Sequence, residues 1–174
     1  YRCQPAAGER TSQCAHRLSR ATGVLGRQAG PVLSPMTDLP AISGPLPWQA
    51  ELWAHLVQRV ARDQLPHALL LGGVRHTGKS QLALALARLL LCHEPDDGHN
   101  CGRCHACNLS RAGSHGDFRY LEPAPKSRVI KIEQIRQVVE FANMTASLGR
   151  RKVVVLAPAD AMNANAANAF LKVL

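Results

Sequence analysis

The sequence lacks any apolar run that could cross a membrane. A spanning helix needs about 20 consecutive apolar residues, whereas the longest candidate, residues 82–91, is interrupted by Arg88. The first residues also lack the apolar core followed by small residues that is typical of a secretory signal. We therefore predict a cytoplasmic protein without a membrane partner.

Acidic residues are scarce. Only 12 stand against 21 lysines and arginines, which gives a formal net charge of +9. The excess is uneven, because residues 1–35 contain five arginines and one acid and so contribute +4 of it. Since nearly half of the excess falls in this one segment, the charge alone does not indicate a DNA-binding surface.

Residues 1–35 also lack the periodicity of helices and strands. Glycine, proline, serine and scattered arginines are frequent there, which is typical of a disordered segment. An organelle transit peptide is the alternative interpretation, but no amphipathic pattern supports it. We expect the natural chain to begin at Met36 and residues 1–35 to be a disordered, non-native extension.

A phosphate-binding motif is the strongest pattern in the remaining sequence. Residues 73–80 read Gly-Val-Arg-His-Thr-Gly-Lys-Ser and match G-x-x-x-x-G-K-[ST]. An apolar run at 68–71, predicted to be a buried strand, precedes the motif, and an apolar helical run at 81–91 follows it. A strand, a turn and a helix in this order are the context that the motif requires.

Each residue type in this loop suits the binding of ATP with magnesium. Gly73 and Gly78 allow the turn, which includes Thr77, in which successive backbone N–H groups point at phosphate oxygens. Lys79 would contact the outer phosphates, and the Ser80 hydroxyl would ligate magnesium. The alternative interpretation is a plain glycine turn with a solvated lysine.

Four cysteines after the loop helix form a second pattern. Cys92, Cys101, Cys104 and Cys107 are separated by eight, two and two residues. Gaps of two residues allow one turn to present neighbouring sulfurs to the same ion. Four thiolates favour a structural zinc site, because a closed shell leaves no position for water or substrate. We predict a small zinc-binding insert at residues 92–107.

An iron–sulfur cluster is the alternative for these cysteines, since C-x2-C-x2-C also opens ferredoxin-type motifs. The fourth cysteine lies upstream here and the Cys-Pro ending of ferredoxins is missing, which favours zinc. His93, His99 and His105 are further candidate ligands, but four sulfurs already complete a tetrahedral coordination.

Hydrophobic periodicity predicts an α/β fold around these motifs. The helix after the phosphate loop is apolar on nearly every side, so it should be buried between a sheet and another layer. Amphipathic spacing predicts further helices at 49–63 and 132–143. Strands are predicted at 117–123 and 153–156, the second of which suits the middle of a parallel sheet.

The end of the strand at 153–156 is where a hydrolysing phosphate-loop enzyme carries its acidic residues. These are an Asp that holds magnesium and often a Glu that orients the attacking water. Ala157 and Pro158 occupy those positions here. Asp160 lies further along, and we expect it to cap the next helix. The intact loop therefore predicts nucleotide binding, and the missing carboxylates predict that hydrolysis is weak or absent.

Several independent motifs, taken in order, resemble those of bacterial clamp-loader subunits of the AAA+ class. They are the phosphate loop, the four-cysteine insert and the segments Leu65–Leu71, Gly113–Asp117, Ile132–Arg136 and Asn165–Leu174. The resemblance covers residues 40–174. It implies a P-loop NTPase fold of the AAA+ (RecA-like) type, in which helices flank a parallel sheet. We expect this nucleotide-binding domain to cover residues 36–174 and to be truncated at its C-terminal end.

Within this class, the lost acidic motif resembles a stator subunit more than the ATP-hydrolysing tau/gamma subunit. The resemblance implies a hetero-pentameric ring with the tau/gamma and delta subunits, which loads the sliding clamp on primed DNA for the DNA polymerase III holoenzyme. Such a subunit is not itself the polymerase. The best-known stator subunits have a damaged phosphate loop, whereas this one is intact.

Other ATPases are the alternative interpretations. An ATP-hydrolysing motor of the tau/gamma type would carry acidic residues in place of Ala157 and Pro158. A recombination ATPase would have its cysteines before the phosphate loop, and a nucleoside monophosphate kinase would have two widely separated C-x2-C pairs. The order of motifs in this sequence fits both of them less well than it fits a clamp-loader subunit.

Overall fold

The computed structural model describes residues 39–125 and 127–172, which form an α/β unit. All of them fall within one compact part of the chain, Leu33–Leu174. Short 3-10 turns occur at Pro47–Gln49 and Ala159–Ala161. The helices and strands are α1 (Ala50–Ala61), α2 (Lys79–Leu91), α3 (His105–Arg111), β1 (Phe118–Leu121), α4 (Ile132–Asn143), β2 (Val153–Leu156) and α5 (Ala164–Phe170).

The predicted disordered extension at 1–35 and the predicted start at Met36 lie outside the described residues. Among the residues that the structure does describe, no helix combines the length and the apolar character needed to cross a bilayer. The helices predicted at 49–63 and after the phosphate loop are confirmed as α1 and α2.

The two strands pair in parallel. Phe118 lies opposite Val153 and Leu121 opposite Leu156, so the strands match along their full length. Parallel strands require a crossover connection, and α4 lies between β1 and β2 in the chain. Both α4 and β2 have the bounds that the hydrophobic pattern predicted.

Helix α2 lies at the centre of the fold. One face packs on α1, and the other packs on the sheet. The buried side chains between the two helices are Trp53, Leu56, Leu82, Ala85, Leu86 and Leu89. On the sheet side, Ala87 and Leu91 form a cluster with Phe118 and Val155. Burial on two faces explains why this helix is apolar on nearly every side.

A third cluster joins α4 to α5 through the fully buried side chains of Ile130, Ile135 and Ala166. Asn163 caps α5, since its side chain accepts a hydrogen bond from the Ala166 N–H at 2.8 Å. The sequence-based choice of Asp160 as the cap is wrong, because Asp160 lies in the preceding 3-10 turn. A capping side chain must directly precede the helix to reach its free N–H groups.

The strand predicted at 68–71 is not a strand in the structure. Leu70 is 85% exposed and Leu69 is 41% exposed, while Leu71 packs against the cluster between α1 and α2. A strand needs a neighbouring strand to satisfy its backbone groups, and the sheet of the described residues consists of β1 and β2. Among residues 68–71, Leu71 alone packs against a core cluster, so the prediction of a buried strand is wrong in both burial and pairing.

Candidate phosphate loop and metal centre

The backbone of the phosphate loop requires glycine at Gly78. This residue directly precedes α2 with φ of +79°, and Gly73 has φ of +139°, values that side-chain-bearing residues rarely adopt. A Cβ atom at Gly78 would overlap the Leu46 side chain. His76 also has a positive φ, of 62°, so the chain turns sharply between the two glycines.

Lys79 folds back over this turn. Its Nζ atom donates a hydrogen bond to the Gly73 carbonyl oxygen at 3.0 Å and another to the Val74 carbonyl oxygen. The Thr77 Oγ1 atom donates to the same Val74 oxygen at 2.9 Å. The structure therefore brings the predicted loop residues together in one closed turn at the start of α2.

Ser80 lies in the first turn of α2 and forms a side-chain hydrogen bond with Tyr120 of β1. Burial raises the pKa of Tyr120, the Glu122 carboxylate raises it further, and the bond to Ser80 lowers it by less. Tyr120 therefore stays protonated at neutral pH and is a neutral partner for Ser80. Sequence reasoning missed this contact, which joins residues far apart in the chain.

Two side chains before α1 also hold the loop. Gln49 Nε2 donates to the Thr77 carbonyl oxygen at 2.9 Å, and Trp48 Nε1 donates to the same oxygen at 3.3 Å. Gln49 is buried, and Trp48 is 68% exposed. No local pattern could reveal them, because their partner lies 28 and 29 residues further along the chain.

Ala157 and Pro158 follow β2, at the positions where the sequence analysis expected acids to be missing. The Asp160 carboxylate instead lies 3.9 Å from the Arg75 guanidinium of the phosphate loop. Both side chains are largely exposed, and such surface pairs contribute little to stability. The structure thus pairs this carboxylate with a cation of the loop.

The four predicted cysteines come together in space, with all Sγ atoms within 4.8 Å of one another. The Sγ atoms of Cys92 and Cys104 are 3.9 Å apart, those of Cys101 and Cys107 are 3.9 Å apart, and those of Cys92 and Cys107 are 3.5 Å apart. Cys92 directly follows α2, and Cys104 caps α3. This cluster could hold a metal ion.

Backbone N–H groups point at three of the sulfurs. The N–H of Cys101 donates to Cys92 Sγ at 3.3 Å, that of Cys104 to Cys101 Sγ at 3.4 Å, and that of Cys107 to Cys104 Sγ at 3.4 Å. Such donors favour the thiolate form that metals bind. Gly102, with φ of +71°, provides the turn that allows these contacts.

The environments of the cysteines differ. Burial raises the pKa of Cys92 to about 12 and also raises the pKa of Cys107. Hydrogen bonds from the backbone N–H groups of Arg103 and Cys104 lower the pKa of Cys101 to about 6. Because a metal binds the deprotonated form of each ligand, metal binding by this cluster displaces protons.

Sequence reasoning did not identify Asp117 as a buried carboxylate. It accepts hydrogen bonds from the Ser147 N–H at 2.6 Å, the Ser147 hydroxyl at 3.0 Å, the Leu148 N–H at 2.7 Å and the Gly149 N–H at 3.1 Å. Burial by itself would raise the pKa of Asp117, but these hydrogen bonds outweigh it and lower the pKa to about 2. Asp117 therefore fastens the loop before β2 to the start of β1.

Known proteins are similar to this chain over most of its length. A family model described as "DNA polymerase III, delta subunit" matches residues 48–174. DNA polymerase III subunit delta' of Pseudomonas aeruginosa is 48% identical over 128 residues, which are 74% of this chain and 38% of that protein. The chain belongs to the delta-prime family of DNA polymerase III. The resemblance drawn from the motifs is thereby confirmed.

Other relatives agree with this family. The delta' subunit of Escherichia coli is 36% identical over 128 residues, 74% of this chain and 38% of that protein. The tau subunit of Bacillus subtilis is 29% identical over 126 residues, 72% of this chain and 22% of that protein. The chain spans about two fifths of the length of these delta-prime relatives. The tau and gamma subunits of DNA polymerase III are the more distant relatives.

Proposed function

We propose that this delta-prime family chain is part of a clamp-loader subunit that serves bacterial DNA replication without hydrolysing ATP itself. The observation that carries the proposal is the 48% identity to the delta' subunit of Pseudomonas aeruginosa. The subunit would belong to the polymerase assembly as a stator in the ring and would not be the polymerase. Its site of action would be the cytoplasm.

The proposed fold is the AAA+ P-loop domain, covering residues 36–174. The parallel pair of β1 and β2, the helix α4 between them and a glycine loop at the start of α2 support it. The metal module at 92–107 would be an insert between α2 and β1.

The phosphate loop would bind ATP with magnesium. Gly73 and Gly78 set the turn, so that the backbone N–H groups from Thr77 into the start of α2 would face the phosphates. Lys79 would exchange its contacts with loop carbonyl oxygens for phosphate oxygens. The Ser80 hydroxyl would exchange Tyr120 for magnesium. Bound ATP would supply a ligand that orders the loop.

Hydrolysis would be absent because two groups are missing at the end of β2. Ala157 and Pro158 carry no carboxylate to hold magnesium or to orient water. Asp160 lies in the following 3-10 turn, where its carboxylate is paired with Arg75. This chain would therefore bind nucleotide as a structural ligand.

The metal in the cysteine cluster would be zinc in a structural role. Zinc–sulfur bonds of about 2.3 Å in a tetrahedron give sulfur–sulfur separations of about 3.8 Å. Three of the six separations between Sγ atoms, at 3.5 to 3.9 Å, fit this geometry, and all six are within 4.8 Å. Zinc bound by Cys92, Cys101, Cys104 and Cys107 would fasten the end of α2 to the start of α3.

The partners would be the tau/gamma and delta subunits in a hetero-pentameric ring. Contact with the sliding clamp and with primed DNA would be made through that assembly. Membership of a DNA polymerase III subunit family and the similarity to tau and gamma subunits support this proposal.

Two measurements on the full-length protein test the nucleotide role. We expect ATP binding in a titration with magnesium, a strong loss of binding in Lys79→Ala, and little change in Arg75→Ala, which removes an exposed cation from the same loop. Phosphate release by the protein alone should stay at background. Rapid phosphate release would contradict the stator role and favour an ATP-hydrolysing motor of the tau/gamma type.

Reconstitution tests the clamp-loader role. Purified tau/gamma and delta subunits should form a ring with the full-length protein, and this ring should load the clamp on primed DNA. Omission of the full-length protein should abolish loading. A ring that loads the clamp equally well without it would contradict the proposal.

A further inference from the structure

Arg88 is a buried cation in the last turn of α2 that the proposed function does not use. The oxygens that accept hydrogen bonds from its guanidinium are Pro40 O at 2.6 Å, Ala41 O at 3.0 Å, Ser110 Oγ at 3.4 Å and Ser43 Oγ. All are neutral. Neither ion pair in the described part of the chain includes Arg88. Burial of an unpaired charge is unfavourable, so a negative group is expected nearby.

The four-cysteine cluster lies beside this guanidinium. Arg88 lies in the last turn of α2, and Cys92 directly follows that helix, where its N–H donates to the Arg88 carbonyl oxygen at 3.1 Å. Ser110 accepts from Arg88, and its hydroxyl donates to the Cys107 carbonyl oxygen at 3.0 Å. Burial lowers the pKa of Arg88, attraction to Cys107 raises it, repulsion from Arg111 lowers it, and attraction to Cys92 raises it. Arg88 is thus linked to two of the candidate metal ligands, to Cys92 through its own carbonyl group and to Cys107 through Ser110.

Charge complementarity favours the metal-loaded cluster as the missing negative group. Four thiolates around one divalent ion carry a net charge of about −2. A partly buried centre with this charge is stabilised by a cation that is held in place and shielded from water. Arg88 meets both conditions, whereas Arg111 at the end of α3 is exposed.

Asn100 makes a second connection to the same part of the chain. Its Nδ2 atom donates to Cys107 Sγ at 3.6 Å and to the Ala41 carbonyl oxygen at 2.9 Å. Its Oδ1 atom accepts from the Ser43 N–H at 2.8 Å. Arg88 and Asn100 therefore both form hydrogen bonds with residues 40–43, which we call the strap. Both residues also lie next to the cysteine cluster.

The strap leads to the groups that hold the phosphate loop. Leu46 follows it and packs at the Gly78 position. Gln49 then donates to the Thr77 carbonyl oxygen. A continuous series of contacts thus connects the cysteine cluster, through the strap, to the phosphate loop.

We propose that Arg88 is the counter-charge of the loaded metal centre, and that metal loading fixes the strap and thereby the approach to the phosphate loop. This inference rests on the proposed metal site. Arg88 and Asn100 act in it as positioning residues, since neither supplies a ligand. Removal of the metal weakens the attraction that keeps Arg88 in place and loosens residues 40–46.

Hydrogen–deuterium exchange on the full-length wild-type protein tests the connection without a mutation. Peptides that cover residues 40–46 should exchange faster after zinc is removed by a chelator and should regain protection when zinc is restored. Peptides from α4 should change little. Equal exchange at residues 40–46 with and without zinc would overturn the inference.

Zinc affinity, measured by competition with a chelator, tests the charge of Arg88. Loss of a group next to metal ligands typically costs about 10–100-fold in affinity, and we expect a loss in this range for Arg88→Met. Arg88→Lys keeps the charge and should retain most of the zinc affinity. Hydrogen–deuterium exchange at residues 40–46 should nevertheless be faster in this variant than in the wild type. Arg103→Met removes an exposed cation from the same module and keeps the backbone N–H that faces Cys101, so it should leave affinity and exchange unchanged.

The outcomes separate this inference from the metal site itself. A wild-type protein that takes up no zinc would overturn both. Zinc affinity that is equal in wild type and Arg88→Met would overturn the inference alone. If Arg88→Met fails to fold, Asn100→Ala decides: when saturated with zinc it should still lose protection at residues 40–46, and unchanged protection there would overturn the inference.

Discussion

Asp117 illustrates how much a single buried side chain contributes at the residue scale. Asp117→Asn replaces a carboxylate that accepts four hydrogen bonds with an amide whose NH2 group would face some of the same donors. We expect this change to lower the free energy of unfolding at neutral pH by about 2–4 kcal/mol. Urea denaturation of both proteins measures the difference.

The pH dependence of that difference tests its cause. The pKa of Asp117 is about 2 in the folded protein, below the ordinary value of 3.8. The carboxylate therefore stabilises the fold fully above the ordinary value, and this contribution is lost as pH falls from about 4 towards about 2. The difference between wild type and Asp117→Asn should shrink over that window. An unchanged difference would show that the carboxylate charge is not responsible.

Cys107 is the most buried of the four candidate ligands. Cys107→Ser removes one thiolate from the shell, so the protein should no longer retain stoichiometric zinc through gel filtration. Metal analysis by mass spectrometry measures this. His105→Ala removes an exposed candidate ligand that a complete shell of four sulfurs does not need, and it should keep the metal. Equal zinc content in the two variants would contradict the assignment of Cys107 as a ligand.

Sequence patterns identified the residues that act through local spacing and missed those that act across the fold. The cysteines and the phosphate loop were predicted because their spacing along the chain already fixes their geometry. Gln49 contacts Thr77, and Asn100 contacts Ser43 across 57 residues. Such pairs form only once the elements pack, so no periodicity indicates them.

At the scale of elements, the glycine before α2 determines whether the phosphate loop can form. Gly78→Ala forces a residue with a Cβ atom into a positive φ, at a cost of about 1–2 kcal/mol, and also overlaps Leu46. We expect this variant to bind ATP much more weakly than the wild type. A titration with a fluorescent ATP analogue measures the loss.

Gly113→Ala is the matched control for Gly78→Ala. Gly113 has a similar φ of +68°, but a Cβ atom there meets nothing within 4 Å. The control should lose similar stability and keep ATP binding. Leu46→Ala in the Gly78→Ala background should restore part of the binding by removing the overlap. If both glycine variants bind ATP normally, the loop does not depend on this conformation.

Elements were predictable where their stabilising contacts follow from amphipathic spacing. α4 carries a buried stripe that includes Ile135, Val138 and Phe141, and its predicted bounds were correct. The predicted strand at 68–71 was wrong because an apolar run does not by itself ensure burial, as exposed Leu69 and Leu70 show, and because a strand also needs a hydrogen-bonding neighbour. The prediction that Asp160 caps α5 was wrong because a 3-10 turn contains Asp160 and separates it from the helix. This turn has no clear sequence pattern.

At the scale of the whole molecule, we expect the exposed apolar residues before and within the phosphate loop to promote self-association. Leu69, Leu70 and Val74 are 41%, 85% and 78% exposed, and exposed apolar patches promote association. Leu70→Lys should therefore reduce self-association of the 174-residue chain in light scattering. Leu171→Lys replaces another exposed leucine, at the end of α5, and should have less effect. An equal effect of the two substitutions would show that the added positive charge, and not the loss of the apolar side chain of Leu70, reduces self-association.

The α/β class and the family could be inferred from the sequence alone. The reason is that the motifs occur in a fixed order along the chain, and that order reflects the order of the elements in the fold. The packing of α1, α2 and the sheet into one body could not be inferred in the same way. It depends on which faces meet, and the all-round apolar sequence of α2 does not specify that.

The sequence contains two tryptophans, one of which contacts the phosphate loop and the other the metal module. Trp48 bonds to the phosphate loop, while Trp53 is buried and stacks on His99 of the metal module with ring centroids 5.6 Å apart. Replacing either one with phenylalanine leaves a single tryptophan in the sequence, whose emission can be excited selectively at wavelengths that tyrosine does not absorb. Emission from the Trp53→Phe protein would then report nucleotide binding, and emission from the Trp48→Phe protein would report metal binding, without any attached dye.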